Sequence, residues 1–326
     1  MLFFWIGVLT ISIVVLFKSS DYFTDAAEAI GLFFRLPTFI IGVTIVAIGT
    51  SLPELVSSIL AVLEGSSEIV SGNVVGSNIT NIFLILGLVA IFSRKMKFDY
   101  EIISVDLPVL MSSAFLLSLL IMDGDFTRSE ALLSLLGAGI FLFHTAARSR
   151  KKPSAATKGT EEELKKELRE EFMVKKGKFP WKEVRVVAAS GFFVFLSAKY
   201  TIEAVLQISD FLTIGKEIIA ASAVALGTSL PELGVSLTAV KKGNPAVAIG
   251  GILGSNIFNS LGVIGIAGLF GTLIVPASII GFGLPLMLIA TLLYLFITQD
   301  KEVTRWEGGF LILFYLFYLG KLFSWI

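Results

Sequence analysis

Two glutamates, Glu54 and Glu232, occupy the same place in two copies of one heptapeptide, GTSLPEL, at Gly49 to Leu55 and Gly227 to Leu233. Each copy lies inside a long apolar run, so two carboxylates are placed in hydrocarbon, where ionisable groups are costly and mark ion or proton pathways. The proline before each glutamate has no N–H, and its ring crowds the carbonyl four residues back, at Gly49 and Gly227. Backbone carbonyls of that turn therefore lose helical donors, which is tolerated at membrane depth only where protein or a polar cavity satisfies them. The hydroxyls of Thr50, Ser51, Thr228 and Ser229 add to the carbonyls and carboxylates a set of hard oxygen donors. Oxygen-only ligation with two negative charges suits calcium or sodium and not zinc or copper.

A second doubled segment follows each heptapeptide. GNVVGSNITN runs from Gly72 to Asn81 and GGILGSNIFN from Gly250 to Asn259, both rich in small residues that let membrane helices pack closely. Ser77 and Asn81 are four apart, as are Ser255 and Asn259, so each pair shares one helical face and can turn its oxygens toward one cavity. For Asn81 and Asn259 ligation is the favoured reading. Asn78 and Asn256 fit packing contacts and ligation equally.

These motifs need a scaffold, and composition supplies its class. The chain has 326 residues, 55% of them hydrophobic and 16% charged, with no cysteine. Its mean hydropathy is +0.86, which belongs to the membrane class. Zero formal net charge gives no reason to expect a nucleic-acid partner, and the absence of cysteine excludes disulfides and thiolate metal sites. Runs of about 17 to 25 apolar residues predict ten membrane helices, near 2–17, 38–63, 68–92, 103–122, 129–147, 184–206, 216–240, 245–270, 277–297 and 306–325. The first is read as a retained span, because no basic region or cleavage site precedes Lys18.

An offset of 178 residues aligns the halves without a gap, pairing Tyr22 with Tyr200, Gly49 with Gly227, Glu54 with Glu232, Gly76 with Gly254 and Asn81 with Asn259. Five spans per half is an odd number, so the second copy enters the membrane upside down. The expected fold is an all-α integral membrane protein of ten transmembrane helices in two inverted five-helix repeats, the plan of secondary transporters. The expected boundaries are 1–147 for the first repeat, 148–182 for a cytoplasmic linker and 183–326 for the second repeat. Within the linker, Glu161 to Lys176 spaces Leu164, Leu168 and Phe172 four apart among mixed charges, the pattern of an amphipathic helix.

Loop charge sets the expected orientation. Lys18, Arg35, Arg94, Lys95, Lys97, Lys241, Lys242, Lys301 and Arg305 fall on one side, against few bases on the other. By the positive-inside rule both termini face outward and the central loop is cytoplasmic. Trp306, Tyr315, Tyr318 and Trp325 are read as interface anchors with packing as the bulk of their role, and Pro276 and Pro285 as starting and kinking the ninth span.

The doubled GTSLPEL, followed in each half by GSNxxN, resembles the two alpha-repeats of sodium/calcium exchangers of the cation/calcium antiporter superfamily, prokaryotic branch. The resemblance covers the whole ten-span plan. It implies that the second, third, seventh and eighth helices enclose one calcium site and several sodium sites. Carried over by position, it implies that Glu54 and Glu232 bind calcium and share in sodium sites, with backbone oxygens of Thr50 and Thr228 beside them. It implies carbonyls from Ala47 and Ala225 and side-chain oxygens from Ser51, Ser229, Ser77 and Ser255 on flanking sodium ions, with Asn81 lining the centre. In much of the family one of the positions matching Asn81 and Asn259 is aspartate. Here both are amides, leaving two formal charges where three are usual, which bears on sodium stoichiometry and potassium coupling. Related cation/proton exchangers carry glutamate in the third helices, where this chain has Ser77 and Ser255, which argues for sodium as counter-ion.

The implied function is a secondary active antiporter exchanging calcium for sodium by alternating access, in a multi-pass protein of the cell membrane. The competing reading is a calcium/proton antiporter or another divalent cation/proton antiporter; a passive channel would differ by conducting without counter-ion. An intramembrane hydrolase is disfavoured, because Ser51 lacks a G-x-S-x-G elbow and no histidine lies in either motif. The expected partners are calcium and sodium as transported substrates and the lipid bilayer, with no cofactor and a monomeric chain. The first and sixth helices are expected to slide past the other eight, with Gly31 and the Pro37 region as hinges.

Overall fold

The structure, a computed structural model, describes residues 1–33, 47–93, 96–97, 106–149, 179–241, 245–300 and 302–326. Among them the helices group into ten: α1 (Leu2–Phe33), α2 (Ala47–Thr50 and Leu52–Leu63), α3 (Glu68–Phe92), α4 (Asp106–Ile121) and α5 (Arg128–Ser149). The second set is α6 (Trp181–Leu212), α7 (Lys216–Lys241), α8 (Pro245–Phe258, Asn259–Val263 and Ile264–Phe270), α9 (Ile279–Gln299) and α10 (Arg305–Leu322). Six of the described helices are each long and apolar enough to span a bilayer. The fold is all-α and membrane-embedded, with ten helices in two inverted repeats.

Helices α1 and α6 overrun the apolar stretches that hydropathy marks, each reaching 32 residues. Beyond Phe17 the helix continues because polarity is sorted by face: Ser19, Ser20, Thr24, Ala26 and Ala29 are buried, whereas Lys18, Tyr22 and Asp25 are exposed. The two helices run antiparallel, with the Thr201 hydroxyl donating to Ser12 Oγ at 2.9 Å and the rings of Phe33 and Phe179 5.7 Å apart. Gly31 is buried in the last turns of α1. Pro37 and the segment from Glu161 to Lys176 lie outside the described residues.

Four two-residue strands tie the repeats together. β1 (Met96–Lys97) pairs antiparallel with β4 (Glu302–Val303), and β2 (Asp125–Phe126) with β3 (Leu273–Ile274). The 178-residue offset carries the pair Met96 and Val303 onto Ile274 and Asp125, so the pseudo-symmetry holds to the single residue. Connectivity puts one ribbon on each membrane face. Each joins a loop of one repeat to a loop of the other, clasping α3–α5 to α8–α10 at both ends.

Interhelical packing inside the clasp depends on missing side chains. A Cβ at Gly72 would lie 2.5 Å from the Glu217 carbonyl oxygen, and one at Gly76 would overlap the Ala221 carbonyl, so α3 meets the backbone of α7 directly. The helix of α9 begins just after Pro276 as expected, and at Pro285 a π-helical turn over Ile279–Gly283 gives way to the α-helical segment Leu284–Gln299. Trp306 and Trp325 are exposed. Tyr315 and Tyr318 are not: at 3% and 1% exposure they are core residues, because their face of α10 packs inward.

Candidate cation site

The two heptapeptides fold alike. Both helices break at the serine two residues before the proline: Ser51 has φ −89° and ψ 12°, Ser229 φ −85° and ψ 5°, off the helical ψ in the sparsely occupied bridge region. The helices then restart at Leu52 and Leu230, with Leu55 N–H donating to Ser51 O at 3.1 Å and Leu233 N–H to Ser229 O at 3.2 Å. Glu54 and Glu232 fall in the first turn after each break, where the N-terminal dipole favours an anion. Both are buried, at 0% and 3% exposure.

The breaks are crossed over. Ser51 donates to Glu232 Oε1 and Ser229 to Glu54 Oε1, each at 3.3 Å, so each carboxylate lies against the other repeat's break. Ser255 adds a third donor, to Glu232 Oε1 at 3.2 Å. The second oxygen of each carboxylate, Glu54 Oε2 and Glu232 Oε2, is buried with no protein partner. At the flanks, the Thr228 hydroxyl donates to Asn73 Oδ1 at 3.5 Å and to Ala225 O at 3.4 Å. Ala225 O also accepts Ser229 N–H, at 3.2 Å. Thr50 and Ala47 form the short helical turn before Ser51, the counterpart of Ala225 to Thr228. A Cβ at Gly49 would overlap Thr24 and one at Gly227 Ile13, so α1 seals against both broken turns.

Helices α3 and α8 bring the amides. Both pass into a π-helical stretch at the second asparagine, over Thr80–Leu86 and Asn259–Val263, and such turns recur at functional sites. Asn81 donates to Asn256 Oδ1 at 2.9 Å, Asn256 to the Asn78 carbonyl at 3.3 Å, and Asn78 to Ser260 Oγ at 2.7 Å. The amide nitrogens of Asn78 and Asn256 thus join the repeats, while Asn78 Oδ1 is buried without a partner. Ser77 Oγ, Asn81 Oδ1 and both polar atoms of Asn259 are buried without a partner. Each such group costs about 1–3 kcal/mol, and most of these atoms are oxygens that a cation can satisfy. Among the described residues no cluster of three acidic, histidine or cysteine side chains forms, so the two carboxylates carry the formal charge.

One contributor escaped the sequence reading. Asn73, at 1% exposure, donates to Glu54 O at 3.4 Å and to Ser58 Oγ at 3.3 Å while accepting from Thr228. Its counterpart is Gly251, so matching the copies passed over it. The signal available was an amide four residues before Ser77, on the same helical face.

Inverted repeats meeting at a buried polar centre define a secondary transporter. The family profile described as sodium/calcium exchanger protein matches residues 4–146 and 183–323, and the chain belongs to that family. It is 33% identical to the sodium/calcium exchanger MaX1 of Methanosarcina acetivorans, over 97% of each chain. It is 29% identical to the inner membrane protein YrbG of Escherichia coli K12, over 81% of this chain and 79% of that one. Among solved structures it is similar to the sodium-calcium exchanger NCX_Mj soaked with sodium and strontium, with TM-score 0.66 and 26% identity over 98% of this chain and 99% of that one.

Proposed function

We propose that this protein is a secondary active antiporter that exchanges calcium for sodium across the membrane by alternating access. The observation that carries the reading is the crossed pair of buried carboxylates, each with one oxygen held by the opposite repeat's serine and one left without a partner.

In this reading Glu54 and Glu232 hold calcium and share in sodium sites, with oxygens of Thr50 and Thr228 beside them. Ser51, Ser229, Ser77 and Ser255, with the carbonyls of Ala47 and Ala225, serve flanking sodium ions, and Asn81 and Asn259 line the centre. One calcium or two sodium ions neutralise the carboxylates, whereas the empty ionised pair is disfavoured in low dielectric. The carrier therefore crosses loaded, which couples the fluxes. Residues 1–147 and 183–326 act as the two repeats and 148–182 as the cytoplasmic linker, with both termini outside. A monomer suffices in this reading, since α2, α3, α7 and α8 of one chain supply every proposed ligand.

The test is calcium-45 uptake into potassium-clamped vesicles holding the purified protein, loaded either with sodium or with protons. Uptake driven by an outward sodium gradient supports the reading. Uptake driven only by the proton gradient replaces it with calcium/proton exchange.

A further inference from the structure

Tyr318 of α10 is among the largest fully buried side chains, and its hydroxyl donates to the Ala221 carbonyl of α7 at 2.7 Å. That carbonyl has a specific need for a donor. Over Ala220–Val224 helix α7 is π-helical, and the N–H of Ala225 bonds to Ala220 O and Ser222 O. The α-helical donor that Ala221 O would receive is thereby diverted, and an unmet buried carbonyl is costly. The same carbonyl lies over Gly76, where any Cβ would overlap it, so it is wedged between α3 and the Tyr318 hydroxyl. The Tyr318 ring stacks at 6.2 Å on Phe282, inside the π-helical turn of α9.

A π turn inserts one residue into a helix and so rotates everything beyond it by roughly a quarter of a turn. Beyond this one lie Ala225, Thr228, Ser229 and Glu232, the second repeat's share of the site. We propose that Tyr318 is a positioning residue for cation binding: its hydroxyl fixes the π turn of α7 and thereby the angular setting of Thr228, Ser229 and Glu232. The brace belongs to one repeat, since the position matching Tyr318 is Ile140, exposed and without a polar atom. The N-terminal part of α7 is therefore held to α10 by a bond that the first repeat cannot make.

The inference rests on the antiporter reading, and the test separates the two. Tyr318→Phe removes one oxygen and keeps the ring, with Tyr200→Phe, an exposed position on α6, as control. In wild type and both variants, backbone hydrogen exchange is read peptide by peptide, and sodium-driven calcium uptake is measured across calcium concentrations. Tyr318→Phe is expected to speed exchange of amides 220–226 and to leave those of α10 unchanged. It is expected to raise the half-saturating calcium concentration about three- to tenfold, while Tyr200→Phe matches wild type. Unchanged exchange at 220–226, or a lower melting temperature with unchanged half-saturation, overturns the positioning role. Should wild type show no sodium-driven uptake, the antiporter reading fails, and the exchange measurement still decides whether the brace exists.

Discussion

The hydroxyl of Ser51 in the first repeat donates to Glu232 Oε1 in the second, at 3.3 Å. Its mirror, Ser229 to Glu54 Oε1, has the same length. Each serine stands at a helix break, so the break that loosens one repeat's backbone also supplies the donor that orients the other repeat's acid. Removing Ser51 or Ser229 should free a carboxylate oxygen to turn away from its partner. Ser51→Ala and Ser229→Ala are each expected to raise the half-saturating calcium concentration about tenfold, the size of one hydrogen bond to a charged group. The readout is initial uptake rate against calcium concentration; unchanged affinity in both variants would show that the crossed bonds do not orient the acids.

Protons compete for the same oxygens. A cation needs the ionised carboxylates, so protonation removes the ligand and activity is lost as pH falls, not as it rises. Uptake at sub-saturating calcium is expected to decline from about pH 8 to about pH 5, and saturating calcium should restore part of it. A flat profile at low calcium would place the cation elsewhere.

Neighbouring glycines on α10 should behave oppositely. A Cβ at Gly308 would lie 2.7 Å from the Gly87 carbonyl oxygen and 2.9 Å from Ala90 Cβ, whereas Gly309 is exposed with nothing within 4 Å. Gly308→Ala is expected to destabilise the folded protein by about 1–3 kcal/mol through overpacking. Gly309→Ala should be neutral or stabilising by up to about 1 kcal/mol, because alanine is the better helix former. Thermal unfolding in detergent compares them; equal melting temperatures would contradict the close approach of α3 and α10.

Much of this was legible in the sequence because duplication made it so. An acid, a proline and a small-residue run recurring at one offset pick out Glu54, Glu232, Ser51 and Ser229, and the odd number of spans gives the inversion. What the copies do not share stayed hidden. Asn73 faces Gly251 across the offset and Tyr318 faces Ile140, so the duplication marks neither as part of the site. Tyr318 read as an interface anchor with packing as its larger role, and burial at 1% exposure leaves packing alone. The overrun of α1 past Phe17 was lost because hydropathy averages all faces of a helix, while Lys18 and Asp25 occupy one. The β ribbons, two residues long, carry no periodicity to detect.

The central claim is that the two carboxylates jointly hold the transported cation. Glu54→Gln and Glu232→Gln keep the shape of each side chain and remove its charge, so sodium-driven calcium-45 uptake in vesicles holding equal amounts of folded protein tests it directly. Each variant alone is expected to lose uptake by at least about a hundredfold, since an amide supplies one neutral oxygen where the cation needs an anion. Uptake at the wild-type rate in either variant would contradict it.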